Sequence, residues 1–190
     1  MQDIIIVGAF HETIELCEQC GFNIIGLVDN AVGSSYCGYS ILGKDEDAEL
    51  LFKKYNCANI VIGPDSAVVK RKLYNIFSKV GFNFATVISP KAMVSKTAHI
   101  GEGCVIQSGV NISANTTIGR FCKINFNSNI MHDVSIADFT IIAPNAVILG
   151  RTKVGEGTYI GANSTIEHDS IVSDGIIIPP ATYFSNKSNE

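Results

Sequence analysis

The chain has 190 residues, a formal net charge of -4, 17% charged residues and no tryptophan. That length fits one domain or two small ones around a real core. Apolar residues at 46%, with 17 glycines and only 5 prolines, exclude a disordered chain, a collagen and a charged coiled coil. A pI near 5.5 argues against nucleic acid as a partner, and a mean hydropathy of +0.25 at such low charge points to apolar surface that meets another protein.

The apolar run at residues 4–7 is far shorter than a membrane span and lacks a basic flank. A cytoplasmic protein without membrane insertion is therefore expected. Cys17, Cys20, Cys37, Cys57, Cys104 and Cys122 then read as reduced thiols rather than a disulfide framework. Cys17 and Cys20 have metal-ligand spacing, but they fall mid-helix by pattern and no second C-x-x-C exists, so no metal is expected.

Residues 3–7 form an apolar strand broken at Gly8-Ala9-Phe10, and residues 12–20 follow with helical spacing up to Gly21. A second strand over 23–28 closes on Asp29-Asn30. A Gly/Ser-rich loop around Gly33 leads to a helix over 45–55. A third strand at 59–62 ends at Gly63-Pro64, a helix spans 66–80, and a last strand covers 83–88. This alternation predicts a small Rossmann-like parallel sheet with helices on its faces, as a domain of residues 1–90.

Beyond Pro90 the period changes. From Val94 to Ile178 every sixth residue is Ile or Val, fifteen positions without an insertion. The residue two places earlier is small or compact almost throughout: Cys104, Thr116, Cys122, Ser128, Thr140 and Thr152 are examples. A period of six fits neither a helix nor a long strand. It fits short parallel strands with a sharp turn after each, stacked as a solenoid over 91–182, with a polar tail at 183–190.

Only His11, His99, His132 and His168 are available for imidazole chemistry. His132-Asp133 and His168-Asp169 share a repeat position 36 residues apart, so with 18 residues per coil they stand about 10 Å apart on one face. They do not form one catalytic pair within a chain. A histidine beside a carboxylate is a natural general base for acyl transfer, and on chemistry alone the two pairs are equal candidates. Cys104 and Cys122 fall on the compact interior positions, which favours packing over nucleophilic catalysis. At the other end, Gly8-Ala9-Phe10-His11 lies between strand and helix, where backbone N–H groups favour phosphate. Asp29 ends the second strand, where a carboxylate can accept from ribose hydroxyls. The full G-x-G-x-x-G fingerprint of a dinucleotide site is absent.

The hexad pattern resembles the left-handed parallel β-helix of hexapeptide-repeat proteins. With the N-terminal α/β half, the chain is similar to sugar acyltransferases of the sialic acid O-acetyltransferase type, nearest to bacterial nucleotide-4-amino-sugar N-acetyltransferases. The run from Asn125 through Ser128 to His132-Asp133, then Ala137-Asp138-Phe139 and Ala143-Pro144, is similar to that family's catalytic segment. The resemblance implies His132 as base and Asp133 as its helper, with Asn125 near the substrate. It implies acetyl-CoA as donor without a metal, a homotrimer, and a role in surface-glycan synthesis. It also implies nucleotide-sugar contacts at Phe10, His11, Asp29, Asn30 and Gly63, and donor contacts at Ile141, Gly150, Ala162 and Pro180. The chain departs from the family pattern in several places. Its first turn is one residue shorter and lacks the second glycine, Ile141 replaces a histidine, and Pro179-Pro180 stands in a glycine run. Sugar O-acetylation, a metal-dependent hydratase built on three histidines, and a structural solenoid are the competing readings.

Overall fold

The structure, a computed structural model, describes residues 2–187. The chain forms two compact units, Met1–Val87 and Ile88–Glu190.

In the first unit, strands β1 (Asp3–Val7), β2 (Asn23–Val28), β3 (Ser35–Tyr36), β4 (Tyr39–Gly43) and β5 (Asn59–Ile62) form a sheet in the order β3-β4-β2-β1-β5. β1 runs parallel to both β2 and β5, and β2 runs parallel to β4. The β1 residues Ile4, Ile5 and Ile6 have no exposed surface. A continuous apolar run of this kind is what a sheet buried on both faces requires. Helices α1 (His11–Gln19), α2 (Ala48–Tyr55) and α3 (Ala67–Val80) bury Leu16, Leu51 and Phe77 among their apolar positions. The α3 start is capped by Ser66 Oγ, which accepts from the Val69 N–H at 3.4 Å, and Gly81 at φ +105° ends the helix in a left-handed turn.

Two sequence expectations need correction here. The expected loop around Gly33 contains the β3–β4 hairpin, turned at Cys37 and Gly38, both with positive φ. Such a two-residue turn is usually written Asn-Gly, which is why Cys-Gly gave no signal. The expected strand at 83–88 contributes only a bridge from Phe84 to Ile60. Val87–Ile88 instead begins one of the stacks of the second unit.

The second unit is built of two-residue strands in three parallel stacks. Partners lie 18 residues apart, as in Ile112 to Ile130, Ile130 to Ile148 and Ile148 to Ile166. This arrangement fits the left-handed parallel β-helix implied by the hexads. From Ile106 to Ile178 every hexad Ile or Val is at most 3% exposed, and Val94 and Ile100 pack against that column. Each such burial contributes about 1.5–3 kcal/mol, so the column is the main cohesive element.

The compact positions do more than save space. Thr116, Ser128, Thr140, Thr152, Thr158 and Ser164 each donate a hydroxyl bond to a carbonyl fifteen residues on, at 2.8–3.0 Å. The Cys104 and Cys122 thiols donate likewise, to Gly119 and Ala137. The corners between strands need left-handed backbone. Asn115, Asn127, Asp133, Asn145, Asn163 and Asp169 supply it, since short polar side chains tolerate that region. Arg151, Phe121 and Phe139 adopt it as well, and the two phenylalanine rings stack at 5.3 Å between centroids.

The expected polar tail starts later than residue 183. Tyr183–Phe184 is one more rung, paired with Thr165 and Ile166, and Lys187 bridges to Ser170. Residues 188–190 of that tail lie outside the described residues.

Candidate active site

The strand Asn129–Ile130 ends in a corner where Asp133, at φ +59°, turns the chain into the next strand. The tight turn folds neighbouring side chains together: His132 Nδ1 lies 2.7 Å from Asp133 Oδ2. An ionised carboxylate can only accept, so the proton of a neutral imidazole sits on Nδ1 and the lone pair is left on Nε2. The His132 bond first, and then the Asn115 amide, holds the Asp133 carboxyl below its ordinary range. Asn115 stands one rung earlier and donates from Nδ2 to Asp133 Oδ1 at 3.1 Å.

One rung later on the same corner is Gly150. A Cβ there would lie 2.9 Å from both Cε1 and Nε2 of His132, so the imidazole rests on the bare glycine backbone. Gly150, expected at the donor, is therefore also the seat of the His132 ring. The ring remains half-exposed.

The second pair, His168 and Asp169, repeats the contact at 2.6 Å but in other company. Arg151 grips Asp169 through Nε at 2.6 Å and Nη2 at 2.8 Å. Lys187 Nζ lies 3.4 Å from His168 Nε2 and 2.8 Å from Glu167. The second nitrogen of His168 thus faces a cation, whereas that of His132 faces Gly150. His99 projects outward from a different stack, at His99–Ile100. Among the described residues no three His, Cys, Asp or Glu side chains are grouped to hold a metal ion.

The N-terminal turn is built differently from the expectation. Asp29 Oδ2 accepts from the Ala9 N–H at 2.9 Å, and Oδ1 accepts from Ala31 and Val32 at 2.8 and 3.0 Å. Burial works to raise the Asp29 pKa, but the three backbone bonds outweigh it and the net shift is downward. The carboxylate clamps the two loops, and most of its accepting capacity is spent before any ribose arrives. Asn30 is engaged at both ends by Asp45, at 2.8 and 3.0 Å. It lies on the rim of a cleft of about 960 Å³ shared with Lys44, Asp45, Phe52, Lys72 and Ile76.

Gly8, Phe10 and Gly63 do come together. A Cβ on Gly8 would touch the Phe10 ring and Pro64 at 3.0 Å, and one on Gly63 would lie 3.2 Å from the same ring. Beneath them Thr13 Oγ1 is buried without a hydrogen-bond partner in the described residues. His11 opens α1, exposed and 3.4 Å from Glu15.

The remaining expected contacts lie elsewhere. Ile141 is 1% exposed and Asn125 is 5% exposed, with Asn125 Nδ2 bonded to the Ile142 carbonyl at 3.1 Å. The Ile141 side chain thus has almost no free surface within one chain. Ala162 and Pro180 share the corner that follows the Tyr159–Ile160 stack, not the corner of His132. Within one chain, then, Gly150 meets His132, whereas Ala162 and Pro180 do not. Cys17, of the C-x-x-C pair, is buried and its thiol is pushed up to about 12, while Cys20 caps the end of α1 rather than lying inside it. Sequence reasoning missed Asn115 and Arg151. Reading the corner at steps of 18, as Asn115, Asp133, Arg151, Asp169 and Lys187, would have found them.

The family model of the GMPPB C-terminal domain matches residues 88–188. A perosamine N-acetyltransferase from Caulobacter crescentus, crystallised with CoA and GDP-perosamine, superposes with a TM-score of 0.93 at 21% identity, over 98% of this chain and 90% of that one. The acetyltransferase domain of PglB from Neisseria gonorrhoeae FA1090, in complex with acetyl coenzyme A, gives 0.88 at 21% identity, over 98% and 92%. WeeI from Acinetobacter baumannii AYE gives 0.68 at 21% identity, over 94% of each chain. At these identities the likeness establishes the fold. No curated protein matches the sequence.

Proposed function

The chain belongs, through residues 88–188, to the family of the GMPPB C-terminal domain, and on that premise we propose that it is an acetyl-CoA-dependent sugar N-acetyltransferase. Its acceptor in this reading is the amino group of a nucleotide-linked amino-deoxy sugar. The observation that carries the proposal is the His132–Asp133 dyad, with Nδ1 bound at 2.7 Å and Nε2 left as a base. Two of the structural neighbours hold CoA or acetyl-CoA, and one also holds a nucleotide amino sugar, which supports the same chemistry.

In the mechanism, His132 Nε2 accepts a proton as the sugar nitrogen attacks the thioester carbonyl, and Asp133 stabilises the imidazolium that forms. Backbone N–H groups near the corners stabilise the oxyanion. Collapse forms the amide and breaks the C–S bond, and the proton held by His132 passes to the departing thiolate. The products are the N-acetyl sugar and CoA, with no acyl-enzyme.

In this reading residues 1–90 are a Rossmann-like nucleotide-sugar domain and 91–182 the acyltransferase domain. The protein works as a homotrimer, because the donor contacts at Ala162 and Pro180 stand on another corner from His132 and a neighbouring chain can bring the two corners together. The nucleotide is UDP or dTDP, with GDP as the case set by the Caulobacter neighbour.

The test incubates the protein with acetyl-CoA and UDP-, dTDP- and GDP-linked 4-amino sugars, following thiol release and product mass. The expected result is a mass gain on an amino sugar, lost in His132→Ala while the oligomer stays intact. Transfer only to hydroxyl sugars would replace the reading by O-acetylation. Undiminished turnover in His132→Ala would remove His132 from the mechanism.

A further inference from the structure

The two His–Asp pairs have the same local geometry, and they differ in the residue one rung earlier. For Asp169 that residue is Arg151, and for Asp133 it is Asn115. Asn115 sits at φ +57° with its own N–H bonded to Thr97 Oγ1 at 3.0 Å, so its amide is aimed from a fixed base. Its Nδ2 donates to Asp133 Oδ1, which leaves Oδ2 to His132.

We propose that Asn115 is a positioning residue for acetyl transfer, holding Asp133 in the one orientation that keeps the His132 proton on Nδ1 and the basic lone pair on Nε2. This rests on the acyltransferase reading given above.

The chemistry of the amide is what suits it to the place. A left-handed corner favours Gly, Asn or Asp, and of these only Asn offers a donor. A neutral donor orients the carboxylate without cancelling its charge, so that charge remains to stabilise an imidazolium. Arg151 makes the opposite bargain at the second pair. Its guanidinium neutralises Asp169, and Lys187 stands against His168 Nε2. Asp133 is the carboxylate bonded to His132, and Arg151, the charged residue of the next rung, is bonded through Nε and Nη2 to Asp169. The ladder Thr97, Asn115, Asp133, His132 therefore makes one of two sequence-identical pairs a base.

Two variants test this on the full chain. Asn115→Gly keeps the left-handed turn and deletes the amide. Asn115→Asp keeps the shape and the turn but replaces the donor with an acceptor. The first readout is the tautomer of the His132 ring by nitrogen-15 NMR of the free protein, assigned by its loss in His132→Ala. The wild type is expected to hold a single Nδ1–H tautomer and both variants a mixture. The second readout is kinetic: kcat falls about tenfold, the factor typical of one lost hydrogen bond, while KM stays within about twofold. An unchanged tautomer in both variants overturns the proposal. So does an unchanged kcat, or a loss confined to KM. The NMR needs no turnover, so a wild type that transfers no acetyl group refutes the enzymatic reading while the tautomer still decides whether Asn115 orients the dyad.

Discussion

The contact between His132 and Gly150 sets up a sharp separation of activity from stability. In Gly150→Ala the added methyl would sit 2.9 Å from Cε1 and Nε2 and 3.3 Å from Nδ1. Carbon contacts are comfortable only at about 3.5–4.0 Å, so the ring must move by roughly 0.6–1 Å. The backbone does not resist, because Gly150 is absent from the left-handed positions. Nor is the fold strained, since tilting the half-exposed imidazole toward solvent relieves the overlap. Stability should stay within about 1 kcal/mol of wild type, with a small gain from the stiffer unfolded chain. In the proposed mechanism His132 then leaves its bond to Asp133 and its place beside the substrate, and a 1 Å displacement of a reacting group lowers the rate about 100-fold. The assay pairs thiol release from acetyl-CoA with thermal unfolding and oligomeric state. Wild-type turnover in Gly150→Ala would refute the placement of the ring, and a collapsed fold would refute the claim that the ring moves freely.

Three further outcomes follow from buried and paired groups. Thr140→Val removes the hydroxyl that reaches the Gly155 carbonyl at 2.9 Å, and chemical denaturation should record a loss of about 1–3 kcal/mol; a neutral result would mean that these bonds do not tie the coils together. Thr13→Val removes a buried hydroxyl without a partner, so it should be neutral or stabilising by up to about 1 kcal/mol, and a clear loss would contradict the environment described for it. The last rung should loosen in acid. Lys187 first, with Ser185, pushes Glu167 down to about 2, and Arg151 first, with His168, lowers Asp169 further. Depressed carboxylates stabilise the fold fully above their ordinary values, and the contribution is lost as pH falls from about 4.5 toward 2. Hydrogen-exchange protection of the Ile171 amide, bonded to the Asn186 carbonyl at 2.9 Å, should fall over that window before that of Ile141 does. Equal persistence of both would show that the Glu167–Lys187 pair does not hold the rung.

The second unit was legible because its rule is one-dimensional. A residue six places on faces the same core in the next strand, so Ile or Val at Val94, Ile100 and onward to Ile178 writes the fold directly into the chain. The first unit was legible in its strongly patterned elements, with β2 at 23–28 and β5 at 59–62, and illegible at Ser35–Gly43, where a hairpin is turned by Cys37-Gly38. The candidate base was visible as His132-Asp133, but so was its twin at His168-Asp169.

Sequence by itself determined the repeat, the interior column and the two dyads, because each depends on neighbours at a fixed spacing along the chain. Only the tertiary structure decided what surrounds each dyad: Asn115 and Gly150 for His132, Arg151 and Lys187 for His168. It also assigned Asp29 to clamping its own loops, with three backbone N–H groups on one carboxylate. The physical reason is that hydrogen bonds and ring contacts act across rungs and between loops, over a few ångströms of space that correspond to 18 or 20 residues of sequence.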